Sequence, residues 1–342
     1  MEREAAQAAT IGEIADAARA TLSSEVWDFI EGAAESETTA RRNREALERI
    51  SLRPRVLVDV SALDPAAELA GLAMRIPVLL APLGAMDSFT PDGALAAAQA
   101  AERFGIPAMI SSVTEPTLTE VARRCAGQKI AQLYIRGDER WSEEQIDTVV
   151  AAGYRAIAVT ADSAYYGRRE RQLRGSWRPP GWVGDREPGR EWQARLDWDW
   201  VARMRDRGGL PFILKGIQTA ADAELAVELG VEVIYVSNHG GRQLDYAQPG
   251  IEVLREVADA VAGRAQIVLD GGIRRGTDVL KAIALGADAV GIGRLQAYAL
   301  AAGGAPALER LLAILEEEIL VAMGLLGVTR LGQLDAGYVA TA

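Results

Sequence analysis

The sequence predicts an α/β chain folded as a single (β/α)8 barrel, a TIM barrel with an N-terminal helical extension and a C-terminal helix. Three observations carry this expectation. Eight short apolar runs rich in Val, Ile and Leu alternate with alanine- and leucine-rich segments of helical period, and an apolar run without polar alternation suits a parallel strand buried on both faces. Each run stops at small, polar or charged residues, as barrel strands do at the end where sites are built. The 342 residues accommodate one barrel of about 250 residues with extensions, so 1–342 reads as one domain.

The elements follow in order. From Ile11 to Ile50 the period is helical, with Trp27, Phe29 and Ile30 apolar, and Arg41-Arg42-Asn43-Arg44-Glu45 reads as a solvated face. A Pro-punctuated connector from Leu52-Arg53-Pro54-Arg55 to Asp64-Pro65 completes the extension, 1–65. The strands are Pro77–Pro82, Ala108–Ser112, Ile130–Ile135, Ala156–Asp162, Phe212–Ile217, Val233–Asn238, Gln266–Gly271 and Ala289–Arg294. Helices are expected at Gly93–Phe104, Thr117–Cys125, Ser142–Ala152, Ala220–Leu229, Ile251–Val261 and Thr277–Leu285. One connection differs: Gly175–Arg195 carries three prolines, four glycines, Trp177, Trp182 and Trp192. A loop of that length on the functional face of a barrel reads as a lid or binding loop. Pro306–Met323 is the C-terminal helix, and Gly332–Ala342 is an arm or a frayed end.

Composition excludes several classes of function. A net charge of −11 lacks the basic footprint of a nucleic-acid binder, so no nucleic-acid partner is expected. Cys125 is the only cysteine, which forbids an internal disulfide and points to a reducing, cytoplasmic setting. The first residues lack the basic-then-apolar order of a signal peptide, and no run of 18 apolar residues occurs. No membrane partner and no metal site are expected.

The strand ends hold a coherent chemical set: Ala81-Pro82, Ser111-Ser112, Gln132 and Tyr134, Thr160 and Asp162, Lys215, Ser237 and His239, Asp270-Gly271-Gly272, and Gly293-Arg294. Barrel geometry converges them on one cavity. His239, the only histidine, is followed by two glycines that let the chain turn beside a bound group. Arg242 then offers a donor fork for a carboxylate. Lys215, ending an apolar strand, must meet an anion, form a Schiff base or stabilise developing charge. Gly271-Gly272-Ile273-Arg274 opening a helix, with Gly293-Arg294 after the eighth strand, has the composition of a phosphate site.

The chain resembles the FMN-dependent 2-hydroxy-acid oxidase and dehydrogenase family of glycolate oxidase, lactate oxidase, mandelate dehydrogenase and the flavin domain of flavocytochrome b2. The resemblance begins near Trp27–Glu35, continues through Leu52–Arg55, Gln132-Leu133-Tyr134 and Gly167–Glu170, and is strongest in Leu214-Lys215-Gly216, Ser237–Asp245 and Leu269–Thr277. It implies oxidation of a 2-hydroxy acid to a 2-oxo acid with FMN as cofactor. By resemblance, Gly272, Arg274, Gly293 and Arg294 hold the FMN phosphate, while Ala81, Pro82, Ser111, Gln132, Thr160, Ser237 and Asp270 contact its ring and ribityl chain. Lys215 sits beside flavin N1 and O2, where reduction places negative charge. His239 is the base, taking either the hydroxyl proton or the α-proton, and Asp162 stabilises its protonated form. Arg242 and Arg169 clamp the substrate carboxylate, and Tyr134 bonds near the substrate oxygen. The electron acceptor is oxygen, a quinone or another carrier, and the family forms homotetramers or octamers.

The sequence departs from the family where a tyrosine that bonds the substrate carboxylate is replaced by Phe29, and where Val113 follows the second strand without the usual aromatic residue. Losing one such hydrogen bond costs about 0.5–1.5 kcal/mol of binding. A bulkier substrate than glycolate is therefore expected, with an amine or biosynthetic intermediate as the alternative. A Schiff-base aldolase using Lys215 is a remote one.

Overall fold

The computed structural model describes residues 2–180 and 189–341. Three short strands precede the barrel: Ile50–Leu52 (β1) and the hairpin pair Ala67–Leu69 (β2) and Leu72–Met74 (β3). The barrel strands are Val78–Leu80 (β4), Ala108–Ser111 (β5), Lys129–Leu133 (β6), Ala156–Thr160 (β7), Phe212–Ile217 (β8), Val233–Val236 (β9), Gln266–Leu269 (β10) and Ala289–Ile292 (β11). They close in sequence order, with β11 pairing back onto β4, and their pairings are parallel. Burial on both faces explains why the runs are apolar throughout. The eight expected strands all occur.

Alternate strand residues fill the barrel interior, among them Leu79, Met109, Ile130, Ile213, Val233, Tyr235 and Val268. The β2–β3 hairpin closes the bottom, adding Leu69, Leu72 and Met74 to that cluster. Gln266 pins it, accepting from Ala70 N at 2.7 Å and donating to Glu68 O at 3.0 Å. The interior is therefore a packed core with one open end, above the C-terminal ends of the strands.

After a short first helix, Glu2–Ala5, the stretch Ile11–Ile50 is three helices rather than one continuous pattern. Ile11–Thr21 is capped by Thr10, Ser24–Glu31 is capped by Ser23, and Thr38–Arg49 follows. The third helix corrects the reading of 41–45 as a solvated face. Asn43 is buried, and Arg44 Nη1 and Nη2 bond the buried Asp278 carboxylate at 2.5 and 2.9 Å. Only Arg41, Arg42 and Glu45 remain exposed. The long C-terminal helix runs Arg294–Leu326 with a break at Gly303–Gly304, so the expected Pro306–Met323 forms most of its second part. That helix is apolar and long enough to cross a bilayer, but its apolar residues pack on the barrel and on helix Ile11–Thr21. The tail is an arm and is not frayed: Val339–Thr341 (β12) pairs antiparallel with β1, Ile50 opposite Thr341.

Candidate active site

The strand ends surround a cavity of about 910 Å³. His239 enters it from the turn after β9. Its backbone is left-handed, φ 57°, a conformation uncommon outside glycine and held here by its surroundings. The His239 N–H bonds Ser237 Oγ at 3.0 Å, and the Asn238 side chain exchanges two bonds with Asn43 while accepting from Gly241 N.

His239 Nδ1 lies 2.9 Å from Asp162 Oδ1, and Nε2 lies 3.5 Å from the Tyr134 hydroxyl. A carboxylate can only accept, so Nδ1 carries the proton and Nε2 presents a lone pair. Burial lowers the His239 pKa, and Asp162 offsets this only in part. Burial works to raise the Asp162 pKa, but the charge and hydrogen bond of His239 and the charge of Lys215 outweigh it, so the carboxylate stays ionised. Burial raises the Tyr134 pKa and keeps that hydroxyl protonated. Gly216 makes the pair possible: its φ is 112°, and a Cβ there would lie 2.7 Å from Asp162 Cβ.

Lys215 is 3% exposed. Its Nζ donates to Ser237 Oγ at 2.5 Å and pairs with Asp270 Oδ2 at 3.1 Å. A Schiff-base lysine needs a free neutral amine, so this pairing disfavours the aldolase alternative.

Arg169, Arg242 and Arg294 also line the cavity, near enough for their charges to act on one another. Burial and the charges of the other two depress the Arg242 pKa; burial likewise depresses that of Arg169. Arg242 Nη1 bonds the carbonyls of Phe29 and Gly32 at 2.7 and 2.6 Å. Arg294 donates to the carbonyls of Ile30, Gly240 and Glu31 at 3.2, 3.0 and 3.1 Å. Both arginines thus bind helix Ser24–Glu31 over the barrel, a duty the sequence does not reveal. Phe29 lies under Arg242, its ring centroid 5.3 Å from Cζ, and its other neighbour is Trp177 at 5.3 Å.

Of the expected cofactor residues, Ala81, Pro82, Thr160, Lys215, Asp270, Gly272, Arg274, Gly293 and Arg294 line the cavity, as does Val113 of the substrate set. Ser111, Gln132 and Ser237 stand behind the wall. Ser111 Oγ accepts from Val113 N, and Gln132 Nε2 donates to Thr160 Oγ1; Ser112, next to Ser111, lines the cavity in its place. Two residues of the histidine segment have roles the sequence left unassigned. Gln243 staples the loop after β7, donating to Asp162 O and Ser163 Oγ at 3.0 and 2.9 Å and accepting from Gly167 N. Asp245 accepts from Ser36 N and Thr39 N at the start of helix Thr38–Arg49.

The expected lid, 175–195, is described except for 181–188, which includes Trp182 and lies outside the described residues. Ser176 N and Trp177 N donate to Glu25 at 3.0 and 3.1 Å, and Pro179, Pro180 and Arg190 line the cavity.

The sequence profile of the family described as FMN-dependent dehydrogenase matches residues 18–341. The chain is 38% identical to a 4-hydroxymandelate oxidase of Amycolatopsis orientalis, over 94% of this chain and 96% of that one. It is 37% identical to an L-lactate oxidase of Nostoc sp., over 94% and 95%. The crystal structure of a mandelate oxidase superposes with a TM-score of 0.91 at 39% identity, covering 98% of both chains.

Proposed function

The chain belongs to the FMN-dependent dehydrogenase family, binds FMN and oxidises a 2-hydroxy acid, and we propose that His239 is the base of that reaction on a substrate bulkier than glycolate. The cavity suits the cofactor on its own evidence. It offers a glycine- and arginine-lined pole at Gly272, Arg274 and Gly293, where helices begin, and a buried cation at Lys215. Gln132 Oε1, just behind Thr160 in the cavity wall, is a buried oxygen without a hydrogen-bond partner among the described residues. FMN bound there supplies the two-electron acceptor.

The observation that carries the proposal is a neutral histidine whose Nε2 lone pair, beside the Tyr134 hydroxyl, faces a cavity that also holds crowded guanidinium groups. Arg169 and Arg242, destabilised by burial, gain most from an anion between them, which orients a 2-hydroxy carboxylate. Nε2 then accepts the substrate proton, and Asp162 stabilises the imidazolium that forms. Tyr134 donates near the same oxygen. Phe29, Leu83 and Val113 line the cavity, and Gly84 leaves Val113 its space, since a Cβ there would lie 3.1 Å from Val113 Cγ2. These groups support an alkyl or aryl side chain on the substrate. Oxygen as electron acceptor belongs to the same proposal, supported by the oxidases matched; a cytoplasmic setting is supported by the single, buried Cys125, and a homotetrameric state by the family resemblance alone.

Anaerobic titration of the FMN-loaded protein with 2-hydroxy acids and matched 2-amino acids tests it. Bleaching by larger hydroxy acids ahead of glycolate is expected, as is a loss of about 10²–10⁴-fold in the reduction rate for His239→Gln with FMN still bound. Glycolate leading the panel overturns the bulkier substrate. Bleaching by amines alone moves the chemistry to nitrogen.

A further inference from the structure

We propose that Tyr235, buried inside the barrel beneath the cavity, is a positioning residue that sets how much of the positive charge of Lys215 reaches the bound FMN; this rests on the reading that Lys215 faces that cofactor. Tyr235 lies on β9 and is 0% exposed. Its ring centroid is 4.8 Å from Lys215 Nζ, and the same Nζ pairs with Asp270 Oδ2 at 3.1 Å. The Tyr235 hydroxyl and Asp270 Oδ1 are both buried and lack a hydrogen-bond partner among the described residues. Both groups lie against the same Lys215 ammonium, Tyr235 by its ring and Asp270 by Oδ2, and burial, with the Asp270 carboxylate adding to it, raises the phenol pKa. One is a donor and the other an acceptor, so each is the kind of partner the other lacks.

Gly291 on β11 makes the arrangement possible. A Cβ at that position would overlap the Tyr235 hydroxyl, so a larger residue displaces the phenol. Tyrosine at 235 and glycine at 291 are thus fitted to each other, and the polar end of the tyrosine is carried to the carboxylate that pairs with Lys215.

The direction of the effect follows from charge. Asp270 offsets Lys215, leaving less field for a ligand above it. A hydroxyl donated to Oδ1 draws off part of the carboxylate charge, and the ring face favours the ammonium. Tyr235 therefore leaves more of the lysine charge for the reduced cofactor, whose added electrons it stabilises.

The test is reconstitution of wild type, Tyr235→Phe, Gly291→Ala and the double variant with FMN, reading the dissociation constant of oxidised FMN and the midpoint potential. Tyr235→Phe is expected to keep its affinity for oxidised FMN but lose roughly tenfold of its preference for reduced FMN, a fall of about 30 mV for a two-electron couple. Gly291→Ala should shift the potential in the same direction by displacing the phenol, and the double variant should go no further. Variants that bind FMN at an unchanged potential, or shifts that simply add, overturn the role of Tyr235. A wild-type protein that takes up no FMN overturns instead the reading on which it rests.

Discussion

Two residues decide how the site meets its substrate. His239 is held neutral by burial, below the ordinary histidine value of 6.5. Its base form therefore survives as pH falls through 6.5, and the acid limb of kcat/KM should lie below that value; a limb above it would contradict a buried neutral base. Asp162→Asn removes the group that raises the His239 pKa, so the limb should move lower still while kcat drops. Phe29 is the other. Its ring packs between Arg242 and Trp177, where a tyrosine would bring a hydroxyl toward the carboxylate anchors. Phe29→Tyr should lower KM for small hydroxy acids by roughly two- to tenfold, the effect of one hydrogen bond worth about 0.5–1.5 kcal/mol, and steady-state kinetics with glycolate and an aryl substrate would show it.

Among the elements, the β2–β3 hairpin has the least visible role and a large structural one. Leu69 and Leu72 are 0% and 1% exposed because they seal the barrel floor. Leu72→Ala should destabilise the fold by about 2–5 kcal/mol, read as a lower denaturant midpoint with FMN affinity retained. The hairpin was not legible in the sequence, since its two three-residue strands are each exposed at the middle residue and offer no unbroken apolar run to distinguish them from a connector. The barrel strands were legible because burial on both faces forces unbroken apolar runs. His239, Asp162, Lys215 and the arginines were legible because strand ends concentrate chemistry. What stayed hidden depends on partners far along the chain: Arg44 reads as surface until Asp278 arrives, 234 residues later, and the hold of Arg294 on helix Ser24–Glu31, beside its place in the cavity wall, shows only once those carbonyls lie against it.

For the whole molecule, the buried pair ties stability to pH. The unfolded chain takes up a histidine proton near 6.5 that the native state resists, so stability should fall as pH drops below 6.5. Asp162, whose pKa is depressed by His239 and Lys215 against the pull of burial, adds a contribution present above the ordinary carboxylate value of 3.8 and lost as pH falls through its native value. The histidine term alone should make the melting temperature decline from pH 7 toward pH 4, and the Asp162 term carries the decline on below that; a rise on acidification would show that other groups dominate. The grip of Arg242 and Arg294 on helix Ser24–Glu31, across 213 and 264 residues, also orders events on the ribosome. The helix emerges early, gains Arg242 only after the sixth barrel strand, and is fully held only once the last barrel strand and its arginine have been translated. A nascent chain cannot enclose FMN, and the cofactor must join a polypeptide whose synthesis is nearly over.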